Sequence, residues 1–411
     1  MNEFLAYFRF SGPFIALVYT LWLFVTGSVD MTWLLLGIVP VILLLEATLG
    51  ESHDVHPYRH QGVFVAAMYV FVGATLLLFT LFVWMLAYGY RGIDLLWLGR
   101  GVEALTGFDM RAAHADDDWT NYLAAALAVA VLNGFSAIGL GHELGHRTGD
   151  TVAHAISRFA GVTCGFTYYA IEHPLGHHET VGTPYDSSTA LRGESVYGYF
   201  LRTSKHDYTA AWEIESERMR RLGKPVIHWQ NRLLQGWAGE AALALAIVLV
   251  AGPMGLMWVL LAALGTHFAY KAGTYPQHYG ITRVPGSTVK AHHAWDPAHR
   301  FDFWLSLGTV RHANHHVNGE LEYWKLALQE RGARMRLGFI ASILLGLIPP
   351  LWHRYATPLV IEWDERLASP EERKIAAEHS ERTGRPAFVA HAARLRQQAG
   401  DDTDAGEMAL A

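Results

Sequence analysis

Cysteine and charge are what this 411-residue chain has least of. Its one cysteine, Cys164, excludes a disulfide framework, a thiolate-held zinc site and an iron–sulfur cluster. Asp, Glu, Lys and Arg make up 17% of the residues, against about 25% in a typical soluble domain. A net charge of −6 offers no basic field to nucleic acid. Apolar residues fill the gap: 51% of the chain is hydrophobic and its mean hydropathy is +0.15. Such a chain is expected to spend much of its length in lipid. It is also rich in histidine, with 23.

Residues 10–29, 31–45, 61–90, 120–142 and 241–270 contain no Asp, Glu, Lys or Arg. A membrane-spanning helix needs about 20 apolar residues. The first, third and fourth stretches are long enough alone, and the second is if Glu46 sits at the water boundary. The last is broken by Gly252, Pro253 and Gly255, which favours a turn between two helices. The expected fold is all-α and integral to a membrane. It has about six spans, at residues 10–29, 31–49, 63–89, 120–141, 237–252 and 255–270, and a cytoplasmic helical cap. Residues 1–370 read as one membrane-embedded domain, and 371–411 as a polar tail, a solvated helix with a disordered end. The apolar run 337–352 contains Pro349 and Pro350 and reads as an interfacial or re-entrant element.

With an amino terminus in the cytoplasm, six spans put the polar blocks 143–236 and 271–411 there too. The outer loop 91–119 then holds Arg91, Arg100 and Arg111, and the other 29 of 32 basic residues lie inside, the sign the positive-inside rule asks for. No cleavable signal peptide is expected, because the first apolar run continues into a second. A bacterial-type inner membrane is the expected location.

Nine histidines fall in boxes at the cytoplasmic ends of these spans. The boxes are His142-Glu-Leu-Gly-His146, His173-Pro-Leu-Gly-His177-His178 and His312-Ala-Asn-His315-His316, with a single His278 beyond the sixth span. Residues four apart share a helix face, about 5–6 Å between β-carbons, so His142 with His146, and His173 with His177, can grip one ion each. Adjacent histidines point about 100° apart and address two ions, or one from two sides. Neutral imidazole suits zinc, copper, iron and nickel. Nine ligands exceed what one ion uses, so two metals is the economical reading. Glu143, Glu172, Asp186 and Asp296 are candidates to accept ring N–H groups and orient those ligands, with His292 and His293 as further supports.

Two other readings compete. His142-Glu143-Leu-Gly-His146 matches the HExxH pattern of zinc proteases, but that chemistry leaves seven histidines unused. A metal transporter would place its site mid-membrane, whereas these boxes gather at one end.

The segments HELGHR, EHPLGHHETVGTP, QHYG and RHANHH, in this order, closely resemble the integral-membrane alkane 1-monooxygenases. Gly193–Tyr197 and Ala211–Arg218 are also similar to that family, and the resemblance covers about residues 46–365. Residues 292–295, 346–352 and 363–373 are more similar to the hydroxylase subunit of xylene monooxygenase. The resemblance implies a non-haem di-iron centre held by the nine histidines, the same nine that spacing singles out. It implies hydroxylation of a terminal methyl group with O2, or of methyl groups on alkyl-aromatics. Thr274, Gln277 and Asn314 depart from the alkane pattern and bear on which. A fatty-acyl desaturase uses similar boxes, but EHxxxHH and QHYG favour hydroxylation.

The substrate class implied is a hydrocarbon dissolved in lipid. Without cysteine ligands the chain holds no rubredoxin or ferredoxin of its own, so the electron donor is a separate protein of that type with its reductase. Arg147, Arg283 and Arg311, near the boxes, are candidates to meet an acidic donor.

Overall fold

The computed structural model describes residues 3–29, 37–53, 55–145 and 150–409. It is 71% helical; among the described residues the only strands are a short parallel pair, β1 (Trp295–Pro297) and β2 (Ala333–Met335). Four apolar helices come first: α1 (Gly12–Thr26), α2 (Val39–Thr48), α3 (Gly62–Arg91) and α4 (Trp119–Asn133). Asp118 opens α4 with a capping box that pairs it with Asn121. Beyond α4 the helix continues through a π-helical segment, Gly134–Leu140, into Gly141–Gly145, which carries the first box. Then come α5 (Thr151–Thr163), α6 (Val196–Arg221) and α7 (Arg232–Gln277).

Helix α7 is 46 residues long but does not run straight. Thr167 donates to the Glu240 carboxylate at 2.5 Å, and His267 Nε2 meets the Gly165 carbonyl at 3.1 Å. A straight helix would hold Glu240 and His267 about 40 Å apart. Both reach one turn because the chain doubles back at Gly252, whose φ of 75° and ψ of −179° only glycine adopts readily. The reversal packs on Arg91 at the end of α3, and Trp258 donates to Tyr90 beside it.

Helices α3 and α7 are long and apolar enough to cross a bilayer. α1 and α2 are apolar but shorter, and part of the expected second span, residues 30–36, lies outside the described residues.

The 337–352 run is two helices, not one: α8 (Phe339–Gly346), then α9 (Pro349–Arg366), divided at the prolines. Glu46 accepts the N–H groups of Ile340 and Ala341, and Asp302 that of Phe339. Burial and the adjacent Glu46 push the Asp302 carboxyl up to about 9, since two carboxyl groups crowd one helix start. A side chain at 338 would displace the Glu46 carboxylate, since a Cβ would lie 2.5 Å from Glu46 Cδ. The expected water-boundary role of Glu46 gives way to a buried one that ties α2 to α8.

The first part of the polar tail, through Leu395, is packed rather than solvated. It forms α10 (Pro370–Arg382) and α11 (Pro386–Ala409). Ala376, Ala377, Ala392 and Leu395 pack between them, and Phe388 is fully buried. Arg192 makes a bidentate pair with Asp364 at 2.6 Å and also reaches Ser380, while His391 meets the same carboxylate. One or two buried contacts of this kind are enough to dock a charged, alanine-rich helix that composition alone marks as solvated.

Candidate metal centre

The second and third boxes are short helical pieces whose histidines meet one another. The second box starts in Tyr169–Glu172, passes through a π-helical turn, His173–His177, and resumes in His178–Thr180. Pro174 has no N–H to continue an α-helical ladder, and the His178 N–H reaches back five residues to the His173 carbonyl. The third box is a single helix, His312–Val317, whose start is held by Asp296: its Oδ1 accepts the Ala313 N–H at 2.9 Å.

Seven of the nine box histidines have described side chains, and they form two groups. His177, His278, His312 and His316, all buried, bring one ring nitrogen each within 4.8 Å of the others. His173, His178 and His315 do the same. His312 and His316 Nε2 are 3.0 Å apart, and His178 Nε2 lies 3.1 Å from that of His173 and 3.0 Å from that of His315. Nitrogens so spaced suit neighbouring ligands of one ion about 2 Å away. His142 is placed by its backbone alone, and His146 lies outside the described residues.

One spacing expectation needs correction. His173 and His177 do not share a group; His173 sides with His178 and His177 with His278. The four-residue rule holds in an α-helix, as for His312 and His316. The π turn offsets the register, so residues five apart face alike.

The ring nitrogens themselves test whether a metal fits. His177 Nδ1 bonds to Asp186 Oδ1 at 2.8 Å, and His278 Nδ1 donates to the His293 carbonyl at 3.2 Å. In both rings the buried Nε2 has no partner among the described residues, a loss of about 1–3 kcal/mol each unless something binds there. Burial, then the charge of His177, lowers His278 to about 3, and burial holds His316 well below its usual value, so both stay neutral as ligands must. Burial also disfavours charge on His177, but Asp186 outweighs it and shifts the ring upward. Asp186, buried yet held ionised by His177 and Thr189, calls for a positive charge in this group.

The residues expected to support the ligands are used unequally. Asp186 meets a ring nitrogen. His293 offers its carbonyl. Asp296 caps the third-box helix instead of a ring, and burial pushes it up to about 7. Glu172 takes a hydrogen bond from Ser187 and, through burial and then the charge of Asp207, rises to about 7. Glu143 accepts the Tyr323 N–H at 3.3 Å. Asn314 accepts the Ala327 N–H at 2.8 Å, and Thr274 meets the Tyr199 hydroxyl.

Arg283 and Arg311 are not docking residues. Both are 2% exposed and spend their guanidinium groups on backbone carbonyls, including Val181 and Glu179 for Arg283 and Ser52 for Arg311. Arg147 lies outside the described residues.

Glu372 was not foreseen. It caps α10 through a Ser369–Glu372 box, a pattern readable in SPEE, and also meets His293 Nε2 at 2.7 Å and His292 Nε2 at 3.4 Å. These three are close enough to hold an ion. However, the Lys290 N–H donates to His293 Nδ1, so Nε2 carries the proton and donates to Glu372. The cluster is a brace behind His278, not a third metal site.

Sequence comparison agrees with this geometry. The profile of the family described as fatty acid desaturase matches residues 117–339, over half the chain. The chain belongs to that family. Alkane 1-monooxygenase 2 of Pseudomonas aeruginosa is 28% identical over 59% of this chain, which spans 66% of that relative, just under two thirds. Alkane 1-monooxygenase 1 of the same organism is 29% identical, covering 64% of this chain and 69% of its own. The xylene/toluene monooxygenase hydroxylase component of Pseudomonas putida is 30% identical, covering 63% and 70%. The chain thus falls in the superfamily that holds the alkane monooxygenases and the fatty acid desaturases.

Proposed function

We propose that the protein is a non-haem di-iron monooxygenase that converts a terminal methyl group of a hydrocarbon, alkane to 1-alkanol, with O2 and electrons from a separate donor. The observation that carries this is the pair of histidine groups, with Nε2 of His177 and His278 buried and unpartnered. His142 and His146 complete the proposed ligand set. Two iron ions bound there would supply activation of O2. The balance is one methyl group, one O2, two electrons and two protons to one alcohol and one water.

The chain's own part is to hold and to exclude. Asp186 keeps the proton of His177 on Nδ1, and the His293 carbonyl does the same for His278, leaving each Nε2 lone pair for metal. Burial keeps water from the centre. An apolar recess of about 480 Å³, lined by residues such as Leu76, Phe79, Val162, Leu243 and Ile247, gives an apolar molecule room among α3, α5 and α7. The six spans, the inner membrane and the cytoplasmic position of the centre belong to this reading. The doubling back of α7 and the apolar faces of α1 to α4 support the spans.

A second reading, hydroxylation of methyl groups on alkyl-aromatics, is favoured by Gln277 and by the 30% identity to the xylene/toluene hydroxylase component. One experiment tests both. The purified protein in nanodiscs, with a donor system, receives octane and p-xylene separately, and products and metal are identified. 1-Octanol is expected, with iron at two per chain, and His315→Ala should abolish turnover. Alcohol from p-xylene alone selects the second reading; zinc in active protein, or unimpaired His315→Ala, overturns both.

A further inference from the structure

Two electrons must reach the centre for each O2, and a single cysteine holds neither a rubredoxin iron nor an iron–sulfur cluster. The residues once expected to receive a donor, Arg283 and Arg311, are buried. A different surface has the chemistry. A recess of about 570 Å³ opens where α6, the loop after the second box and α10 meet. Its titratable lining is basic throughout: Arg192, Arg202, Lys205, His206, His379 and Arg382, with no carboxylate among them.

These cations are not equally available. Arg192 is neutralised by Asp364 at 2.6 Å, and Arg202 by Glu194 at 2.8 Å. Lys205 is exposed, and neither it nor His206 has a side-chain partner among the described residues. Arg382 has only Glu378, 3.7 Å away with both side chains exposed, a pair of little worth. Three cationic or protonatable groups therefore face outward together. The chain as a whole carries −6, so this is a local basic patch, and it attracts an acidic protein.

The recess also leads inward. Thr189, on its wall, donates to Asp186 Oδ2 at 2.5 Å, and Asp186 Oδ1 bonds to His177 Nδ1 at 2.8 Å. Two hydrogen bonds join the recess to the four-histidine group. We propose that an acidic electron-donor protein docks on Lys205, His206 and Arg382, and that electrons pass through Thr189, Asp186 and His177. A one-electron donor is oxidised once per docking, and two dockings supply the pair that one O2 consumes. This rests on the hydroxylase reading for what the electrons do, but not for where the donor binds.

The test uses the full-length, iron-loaded protein in nanodiscs, with rubredoxin and a ferredoxin-type reductase as probes. Lys205→Glu with Arg382→Glu is compared with Arg220→Glu and Arg221→Glu, the same charge change at the exposed end of α6. The first pair should raise the donor's KM, and its Kd measured without turnover, about tenfold at low salt. It should also remove the salt dependence seen in the wild type. Iron content and alcohol formed when dithionite supplies the electrons should stay at wild-type levels. The control pair should leave Kd unchanged. The proposal is overturned if both pairs weaken binding equally, or if neither probe binds the wild type in a salt-sensitive way. It is overturned too if Lys205→Glu with Arg382→Glu loses phosphatidylglycerol vesicles while keeping the donor's Kd, since the recess is then a headgroup site. A wild type that binds donor but yields no alcohol with dithionite sinks the hydroxylase reading and leaves the docking site standing.

Discussion

Glu372 and His293 are 79 residues apart in sequence and 2.7 Å apart in space. Through that contact the carboxy-terminal helix pair reaches the metal centre, because the His293 carbonyl in turn orients His278. Removal of Glu372 should be felt at a ligand it never touches. Glu372→Ala is expected to weaken metal binding about tenfold and to lower helix stability by about 1 kcal/mol through the lost cap. Glu372→Gln, whose carbonyl still accepts from His293, should recover most of the affinity. Metal titration and thermal melts separate the two effects.

Asp186 acts on a ligand directly. Asp186→Ala should cost about 10–100-fold in metal affinity or turnover, with far-ultraviolet circular dichroism unchanged. Equal metal content in variant and wild type at limiting metal would show that the His177 tautomer is set elsewhere.

The two histidine groups should empty separately. His178→Ala or His315→Ala is expected to leave about one metal per chain, bound by the His177 group, and His278→Ala about one in the other. Elemental analysis after mild chelation reads this. Loss of both ions from every variant would mean a single shared site.

Acid should strip and loosen the centre. Burial lowers His278 to about 3 and holds His316 well below its usual value, while the unfolded chain takes up those protons near 6.5. Between these values the unfolded state binds more protons, so these two rings lower stability as pH drops below about 6.5. His177, shifted upward by Asp186, works in the opposite direction, and so do the carboxyls of Glu172 and Asp296, raised to about 7, and of Asp302, raised to about 9. The contribution of one ring is therefore read by difference. The change in melting temperature of metal-free protein from about pH 5 to 7 is expected to be more positive in wild type than in His278→Ala, and bound metal to be lost toward the acid end of that interval. Equal profiles would contradict the buried, neutral state of this ring.

The histidines were legible because their chemistry is carried by residue type, and the boxes lie close together in sequence. Their grouping was not, since His173 and His177 obey the four-residue rule only if the helix between them is regular. Asp296 and Asp186 look alike in sequence; burial beside a helix start or beside a ring decides their roles. Arg283 and Arg311 read as surface charges until the carbonyls of Val181 and Ser52 are seen around them. Glu372 sits in a stretch whose composition marks a solvated tail, and only the fold brings it back. The glycine–proline break in α7 was plain because a backbone at φ of 75° restricts residue type so strongly.

The irregular turn at His173–His177 has a consequence for how such a centre could change. Helix pitch there works as a sorting device, sending neighbouring side chains to different histidine groups. Shortening that turn by one residue would restore an ordinary helix and swing histidines from both groups onto one face. A single deletion, with no histidine altered, would then merge two groups into one.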